Sequence, residues 1–201
     1  AAGEVLIHTS HISLDPSMRG QMENRADYVA PLHIGDVMRA GGVGRIVSSR
    51  HPEFPEGAQV TGSFGMQDYV VSDGRSVPFR VVDSTLEPEL LLGVLGGTGM
   101  TAYFGLLELG KPQPGETVVV SGAAGATGSV AGQIAKIQGC RVIGTAGSDE
   151  KCRWLVDTLG FDAAINYRTE DVGAALDRMC PGGIDIYFDN VGGDILDLCL
   201  A

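Results

Sequence analysis

TVVVSGAAGATGS, residues Thr117–Ser129, is the stretch on which the fold turns. Thr117–Val120 is β-branched throughout, which suits a short buried strand. Glycines follow at 122, 125 and 128. Beyond them Val130, Ile134 and Ile137 recur at helical spacing, and Gly139 stands where a helix stops. Strand, glycine turn and helix together open a dinucleotide-binding βαβ unit. The chemistry needs small residues here because backbone must approach a pyrophosphate. Amides at the helix N-terminus then face the anion along the helix dipole. The competing reading is a structural turn between buried elements.

The same alternation runs on to residue 201. Arg141–Thr145 reads as a second strand and Asp149–Leu159 as a helix stopped by Gly160. Ala163–Tyr167 reads as a third strand. An amphipathic helix, Glu170–Met179, is expected to take Thr169 as its N-cap. Ile184–Phe188 reads as a fourth strand, and Asp194 opens a further helix. Right-handed crossovers make this a parallel sheet of order 3-2-1-4, numbered within this half of the chain.

The end of the second strand bears on the cofactor. An NAD site usually places Asp or Glu there for the ribose 2′-hydroxyl. The sequence instead reads Thr145-Ala146-Gly147-Ser148, with Asp149 already in the next helix start and Lys151 on its first turn. A missing acid beside an available cation favours the 2′-phosphate of NADP. The alternative is a solvated helix start. Tyr167, at the end of the third strand, is placed to lie against the adenosine ribose phosphate. Asn190 follows the fourth strand at the carboxyl edge, where open α/β sheets bind ligands. It offers a donor and an acceptor, and a turn-forming Asn is its alternative.

Residues 1 to about 85 have a different composition. Glu4–Leu14 is extended, and Val37–Ser49 reads as two short strands around Gly41, Gly42 and Gly44. Gln59–Phe64, Met66–Ser72 and Val77–Val82 read as further strands between Gly, Pro and Asp turns. The expectation is a small, mostly antiparallel β domain. Asp15–Gly20 reads as a polar loop, in which Arg19 is either an anion ligand or a surface side chain. Residues 86–116 read as a helical connector: Leu90–Leu95 is one apolar run, and Met100–Leu109 is another with Tyr103, Leu106 and Leu107 on one side. Thr98 lies at the glycine break between them, where a hydroxyl reaches a ligand or caps a helix.

Composition excludes several classes. The 14 Lys and Arg against 25 Asp and Glu give a net charge of −11 without a basic cluster, so nucleic acid is not an expected partner. No apolar run reaches the roughly 18 residues a membrane span needs, and the first residues have no signal-peptide pattern. Cys140, Cys152, Cys180 and Cys199 are widely spaced and read as reduced thiols of a cytoplasmic protein. His8, His11, His33 and His51 form no close pair with a cysteine, so no metal site is expected. The P-loop lysine is absent after this turn. A short-chain dehydrogenase is expected to carry Tyr-x-x-x-Lys, but the residue four after Tyr167 is Asp171.

With these residues assembled, the chain resembles the zinc-independent medium-chain reductases. Within them it is most similar to the leukotriene hydroxydehydrogenase/prostaglandin reductase, alkenal reductase and curcumin reductase group. The resemblance is carried by SLDPSMRG (13–20), GGVGRIVSSRHPEFPEG (41–57), the long stretch 93–152, GFDAAINY (160–167) and YFDNVGG (187–193). It implies an α/β protein: a GroES-like β domain over 1–85, a helical connector over 86–116, and an NADP-binding Rossmann domain, a doubly wound parallel sheet, over 117–201. It places Gly125, Ala126, Thr127 and Gly128 on the pyrophosphate, Lys151 and Tyr167 around the 2′-phosphate, and Asn190 near the nicotinamide side. It implies NADPH as cofactor, an enone or enal as substrate, hydride transfer to the β-carbon of an activated C=C bond, and a homodimer at full length. NADPH quinone reduction, or NADPH binding without turnover, is the alternative. Ser17 stands where the group usually has Tyr, and Met66 where an aromatic is common. The group's chains are longer at both ends. The present chain is therefore expected to be truncated after the fourth Rossmann strand, weakly active or inactive and poorly soluble by itself, with the catalytic residues unknown.

Overall fold

The computed structural model describes residues 2–23 and 30–201. The chain divides into two compact units, residues 1–92 and 93–201.

In the first unit five antiparallel strands form a curled sheet of the GroES-like type, in the order β4-β1-β2-β3-β5. They are β1 (Val5–Ile12), β2 (Gly42–Ser49), β3 (Gln59–Gly62), β4 (Tyr69–Ser72) and β5 (Phe79–Val81). Val5, Ile7, Ile46, Val60, Phe64 and Val70 meet beneath it. The alternation along β1, with Val5, Ile7 and Thr9 inward, follows from the two-residue period of a strand.

Several sequence expectations are corrected in this unit. The two strands expected over Val37–Ser49 are one, β2. Its glycines do not turn the chain. They let neighbours approach: a Cβ on Gly44 would sit 2.5 Å from the His8 carbonyl oxygen, and one on Gly42 would sit 3.0 Å from the Phe64 ring. The polar loop expected over Asp15–Gly20 contains a short helix, α1 (Ser17–Met22), anchored by the buried Met18. Arg19 is exposed on it, 3.7 Å from Glu23. The apolar run Leu90–Leu95 is helical only in α2 (Pro88–Leu92).

The second unit alternates strand and helix: β6 (Thr117–Val120), α4 (Ala126–Ile137), β7 (Arg141–Ala146), α5 (Asp149–Asp157), β8 (Ala163–Asn166), α6 (Val172–Met179), β9 (Ile186–Phe188) and α7 (Gly193–Leu200). The four strands are parallel in the order β8-β7-β6-β9, the expected 3-2-1-4. Both faces of the sheet are covered, which is why its strands are apolar runs rather than alternating ones. Val118 and Val120 pack on one side with Leu106, Ala135, Val142, Leu155 and Phe161. Val119 packs on the other with Ile143, Ile165, Ala175 and Leu176. Each such fully buried valine is worth about 1.5–3 kcal/mol relative to exposure.

Ahead of β6, α3 (Gly97–Tyr103) continues as a π-helix, Phe104–Gly110, where one uninterrupted α-helical pattern was expected. Leu106 is buried as read, whereas Tyr103 is half exposed. Gly105 makes room for the Phe188 ring, 2.9 Å from where a Cβ would stand. Helix α6 is capped by Asp171, whose Oδ1 accepts from the Ala174 N–H at 3.0 Å, and not by Thr169. Asp171 lies immediately before the first helical residue and reaches two amides past it, whereas Thr169 lies outside the turn.

Candidate cofactor site

Three loops leave the carboxyl ends of the parallel strands, and each carries part of the site. The first joins β6 to α4. Gly122 takes a left-handed conformation, φ 54°, and the Gly125 N–H donates to its carbonyl at 2.9 Å. A Cβ on Gly128 would lie 2.6 Å from that same carbonyl, so the helix can close onto the turn only with glycine there. Gly125 is the N-cap of α4 and supplies no side-chain cap. Gly125 and Ala126 are exposed, Thr127 is half-buried and Gly128 is buried. The first amides of a twelve-residue helix are thus open at its positive end, a cradle for a phosphate.

The second loop follows β7. Ser148 caps α5, its Oγ accepting from the Lys151 N–H at 3.3 Å. The exposed Lys151 ammonium, on the first turn, has no ion-pair partner among the described residues. Tyr167 and Arg168, at the end of β8, lie over Gly147. A Cβ on Gly147 would sit 2.7 Å from Tyr167 Oη and 3.3 Å from Arg168 Nε. Only glycine permits that approach.

The nearest acid is engaged elsewhere. Asn166 is 4% exposed, and its Nδ2 donates to Asp149 Oδ1 at 2.6 Å. Asn166 Oδ1 accepts from the Arg168 N–H at 3.1 Å, and its own N–H donates to Glu170 Oε1 at 2.8 Å. Asn166 therefore holds both neighbouring carboxylates, Asp149 through its side-chain amide and Glu170 through its backbone N–H. It also fixes the backbone from which Arg168 projects.

The third loop follows β9. Asn190 donates from Nδ2 to the Ser121 carbonyl at 2.9 Å and from its N–H to Ser121 Oγ at 2.8 Å. Ser121 Oγ donates in turn to Asp189 Oδ1 at 2.9 Å. The same oxygen accepts from Tyr187 Oη and from the Val191 and Gly192 N–H groups, at 2.9–3.0 Å. Burial pushes the Asp189 carboxyl upward. The bonds from Gly192, Val191, Tyr187 and Ser121 outweigh it and hold the group at about 2. Burial, with the nearby Asp189 charge, pushes the Tyr187 phenol above its ordinary value.

Of the residues singled out from sequence, the structure gathers Gly125, Ala126, Thr127 and Gly128 on one turn. Lys151 lies on the first turn of α5, just after β7, and Tyr167 lies against Gly147 in the preceding loop. Asn190 is tied to the first residue of the glycine turn. Thr98 lies on α3, which packs against α4, and its Oγ1 donates to the Gly93 carbonyl at 3.0 Å. Arg168, Asp189 and Ser121 escaped the sequence reading. Arg168 has a signal in hindsight, a cation directly after the tyrosine that ends the third strand. Asp189 carries none, because the sequence does not show that its carboxylate meets Ser121, sixty-eight residues earlier. Among the described residues no group of three or more His, Cys, Asp or Glu is placed to hold a metal ion.

Two families match the chain. One, described as the N-terminal domain of oxidoreductase, covers residues 1–79; the other, described as zinc-binding dehydrogenase, covers residues 126–201. The NADPH-dependent curcumin reductase of Escherichia coli (strain K12) is 46% identical over 198 residues, 98% of this chain and 57% of that protein. Prostaglandin reductase 1 of Bos taurus is 43% identical, over 99% of this chain and 59% of its own. The 2-alkenal reductase (NADP(+)-dependent) of Nicotiana tabacum is 41% identical, over 100% of this chain and 59% of its own. A crystal structure of CurA from Vibrio vulnificus in complex with NADPH superposes with a TM-score of 0.92 at 46% identity, covering 100% of this chain and 59% of that one. The chain thus spans less than two thirds of the length of these relatives.

Proposed function

Since the chain belongs to the zinc-independent medium-chain dehydrogenase/reductase group, we propose that the full-length protein is an NADPH-dependent reductase of activated C=C bonds in α,β-unsaturated ketones and aldehydes. The observation that carries the cofactor half of this reading is the Asn166–Asp149 hydrogen bond, 2.6 Å long. It occupies Asp149 Oδ1 near the end of β7, while Lys151, Tyr167 and Arg168 stand nearby and neither cation has an ion-pair partner among the described residues. That is an environment for a 2′-phosphate and not for a 2′-hydroxyl. Support for the reaction class comes from the curcumin, prostaglandin and alkenal reductases.

The residues divide the work. The amides of Ala126, Thr127 and Gly128 receive the pyrophosphate at the positive end of α4. Lys151, Arg168 and the Tyr167 hydroxyl hold the 2′-phosphate, with Gly147 giving them access. Asn190 borders the nicotinamide side, and Thr98 lines the site from α3. When bound, NADPH supplies the hydride that adds to the β-carbon, and the α-carbon is then protonated. A small-molecule enone or enal fits this chemistry, and a homodimer in the cytoplasm is the setting we propose.

The test is product analysis. The full-length protein, incubated with NADPH and a simple enone, should yield the saturated ketone in step with NADPH consumed. An allylic alcohol would mean carbonyl reduction instead. Tight NADPH binding without consumption would mean a binding protein without turnover. A quinone run in parallel, if consumed in preference, would favour the quinone reductase reading.

A further inference from the structure

The four-membered bond set on Asp189 Oδ1 has no counterpart elsewhere in the site. One oxygen accepts from Ser121 Oγ, Tyr187 Oη and two backbone N–H groups. Two of those donors lie in the loop after β9. Ser121 is the first residue of the glycine turn and is fully buried. The two loops are therefore joined through one carboxylate. The junction is also packed: a Cβ on Gly122 would meet Val191 Cγ2 at 3.3 Å and Asn190 Cβ at 3.6 Å.

Asn190 is held by the same junction. Its N–H donates to Ser121 Oγ, so the hydroxyl hydrogen must point away, toward Asp189. Its Nδ2 donates to the Ser121 carbonyl. A carbonyl can only accept, so the amide nitrogen faces it and Oδ1 is the atom turned the other way. Asn190 therefore turns its Oδ1 acceptor to a ligand, and one of its two Nδ2 hydrogens is committed to the fold. In the order β8-β7-β6-β9 the adenosine half of a dinucleotide lies toward β7 and β8, and the other half toward β9.

We propose that Asp189 is a positioning residue: acting through Ser121, it sets Asn190 as a hydrogen-bond acceptor for the nicotinamide-ribose half of the cofactor. Asp189 itself does not touch the cofactor. The inference rests on the NADPH reading above.

The experiment compares two ligands in the full-length protein: NADPH, and adenosine 2′,5′-bisphosphate, which carries only the adenosine half. Asp189→Ala and Ser121→Ala should each weaken NADPH about tenfold or more, and leave adenosine 2′,5′-bisphosphate within about twofold. Asp189→Asn keeps an acceptor oxygen in place and should recover most of the NADPH affinity. If Asp189→Ala does not fold, Ser121→Ala decides, since it leaves three of the four bonds to Asp189 intact. Equal losses for both ligands would reduce Asp189 to a fold-stabilising residue and overturn the proposal, as would unchanged NADPH affinity. An unmutated protein that binds the bisphosphate but discriminates nothing between NADPH and the bisphosphate would also overturn it. One that binds neither would remove the cofactor reading itself.

Discussion

Asp149 opens α5 just beyond β7, and its Oδ1 accepts from Asn166 Nδ2 at 2.6 Å. Lys151 and Arg168 have no ion-pair partner among the described residues. A 2′-phosphate bound there gains charge-assisted bonds that a 2′-hydroxyl cannot make, each worth about 1.5–3 kcal/mol. Lys151→Glu and Arg168→Glu should each weaken NADPH at least about tenfold while leaving NADH within a few-fold, read by fluorescence titration. Equal losses for both cofactors would mean that neither cation meets the 2′-phosphate. Asp189 gives a prediction in pH. Its carboxyl is held at about 2, below the ordinary 3.8. A carboxyl depressed on folding adds stability above its ordinary value, and that contribution is lost as pH falls from 3.8 toward 2. Thermal melts at pH 4 and pH 2 should therefore show a larger drop for the unmutated protein than for Asp189→Asn. Identical drops would mean that the carboxylate gains nothing on folding. Lys151 and Tyr167 stand out in the sequence because they follow the second and third strands of the βαβ unit. Arg168 and Asp189 do not, because the roles proposed for them depend on atoms that folding brings alongside: Gly147 for one, Ser121 for the other.

The turn between β6 and α4 separates two uses of glycine. Gly125 is exposed, with φ −83°, and a Cβ there meets nothing closer than the Gly122 carbonyl at 3.1 Å. Gly125→Val should leave the melting midpoint within a few degrees and still lower NADPH affinity sharply, because the branched side chain stands where phosphate must approach. Gly128 is buried, and its Cβ would lie 2.6 Å from the Gly122 carbonyl and 2.8 Å from Ala123 Cα. Gly128→Val should cost about 1–3 kcal/mol of stability as well. If both variants melt alike and both bind NADPH normally, the turn is not the phosphate site. Strand, turn and helix were readable here because β-branched runs and helical spacing agree with each other. They were not readable at Gly42 and Gly44, where a glycine admitting a neighbour's backbone looks the same in sequence as one turning the chain. The π-helix at Phe104–Gly110 left no mark in the apolar spacing, since Gly105 is shaped by Phe188, more than eighty residues away in sequence.

Across the molecule, fourteen basic residues against twenty-five acidic ones give a net charge of −11, a poor background for a phosphorylated ligand. On the proposed reading, affinity for NADPH comes from local devices: the end of α4, Lys151 on α5 and Arg168 beside Gly147. The strand order was legible because right-handed crossovers leave few alternatives. Metal ligands are also segregated. All four histidines belong to residues 1–92 and all four cysteines to residues 93–201, so neither unit holds a mixed Cys/His set by itself. Dialysis of the full-length protein against a chelator should leave both NADPH affinity and melting midpoint unchanged; loss of either would reveal a metal requirement. The most direct measurement is the pair of dissociation constants of the unmutated full-length protein for NADPH and NADH under one ionic strength. NADPH should bind at least about tenfold more tightly, whereas equal constants would contradict the assignment of Lys151, Tyr167 and Arg168 to a 2′-phosphate.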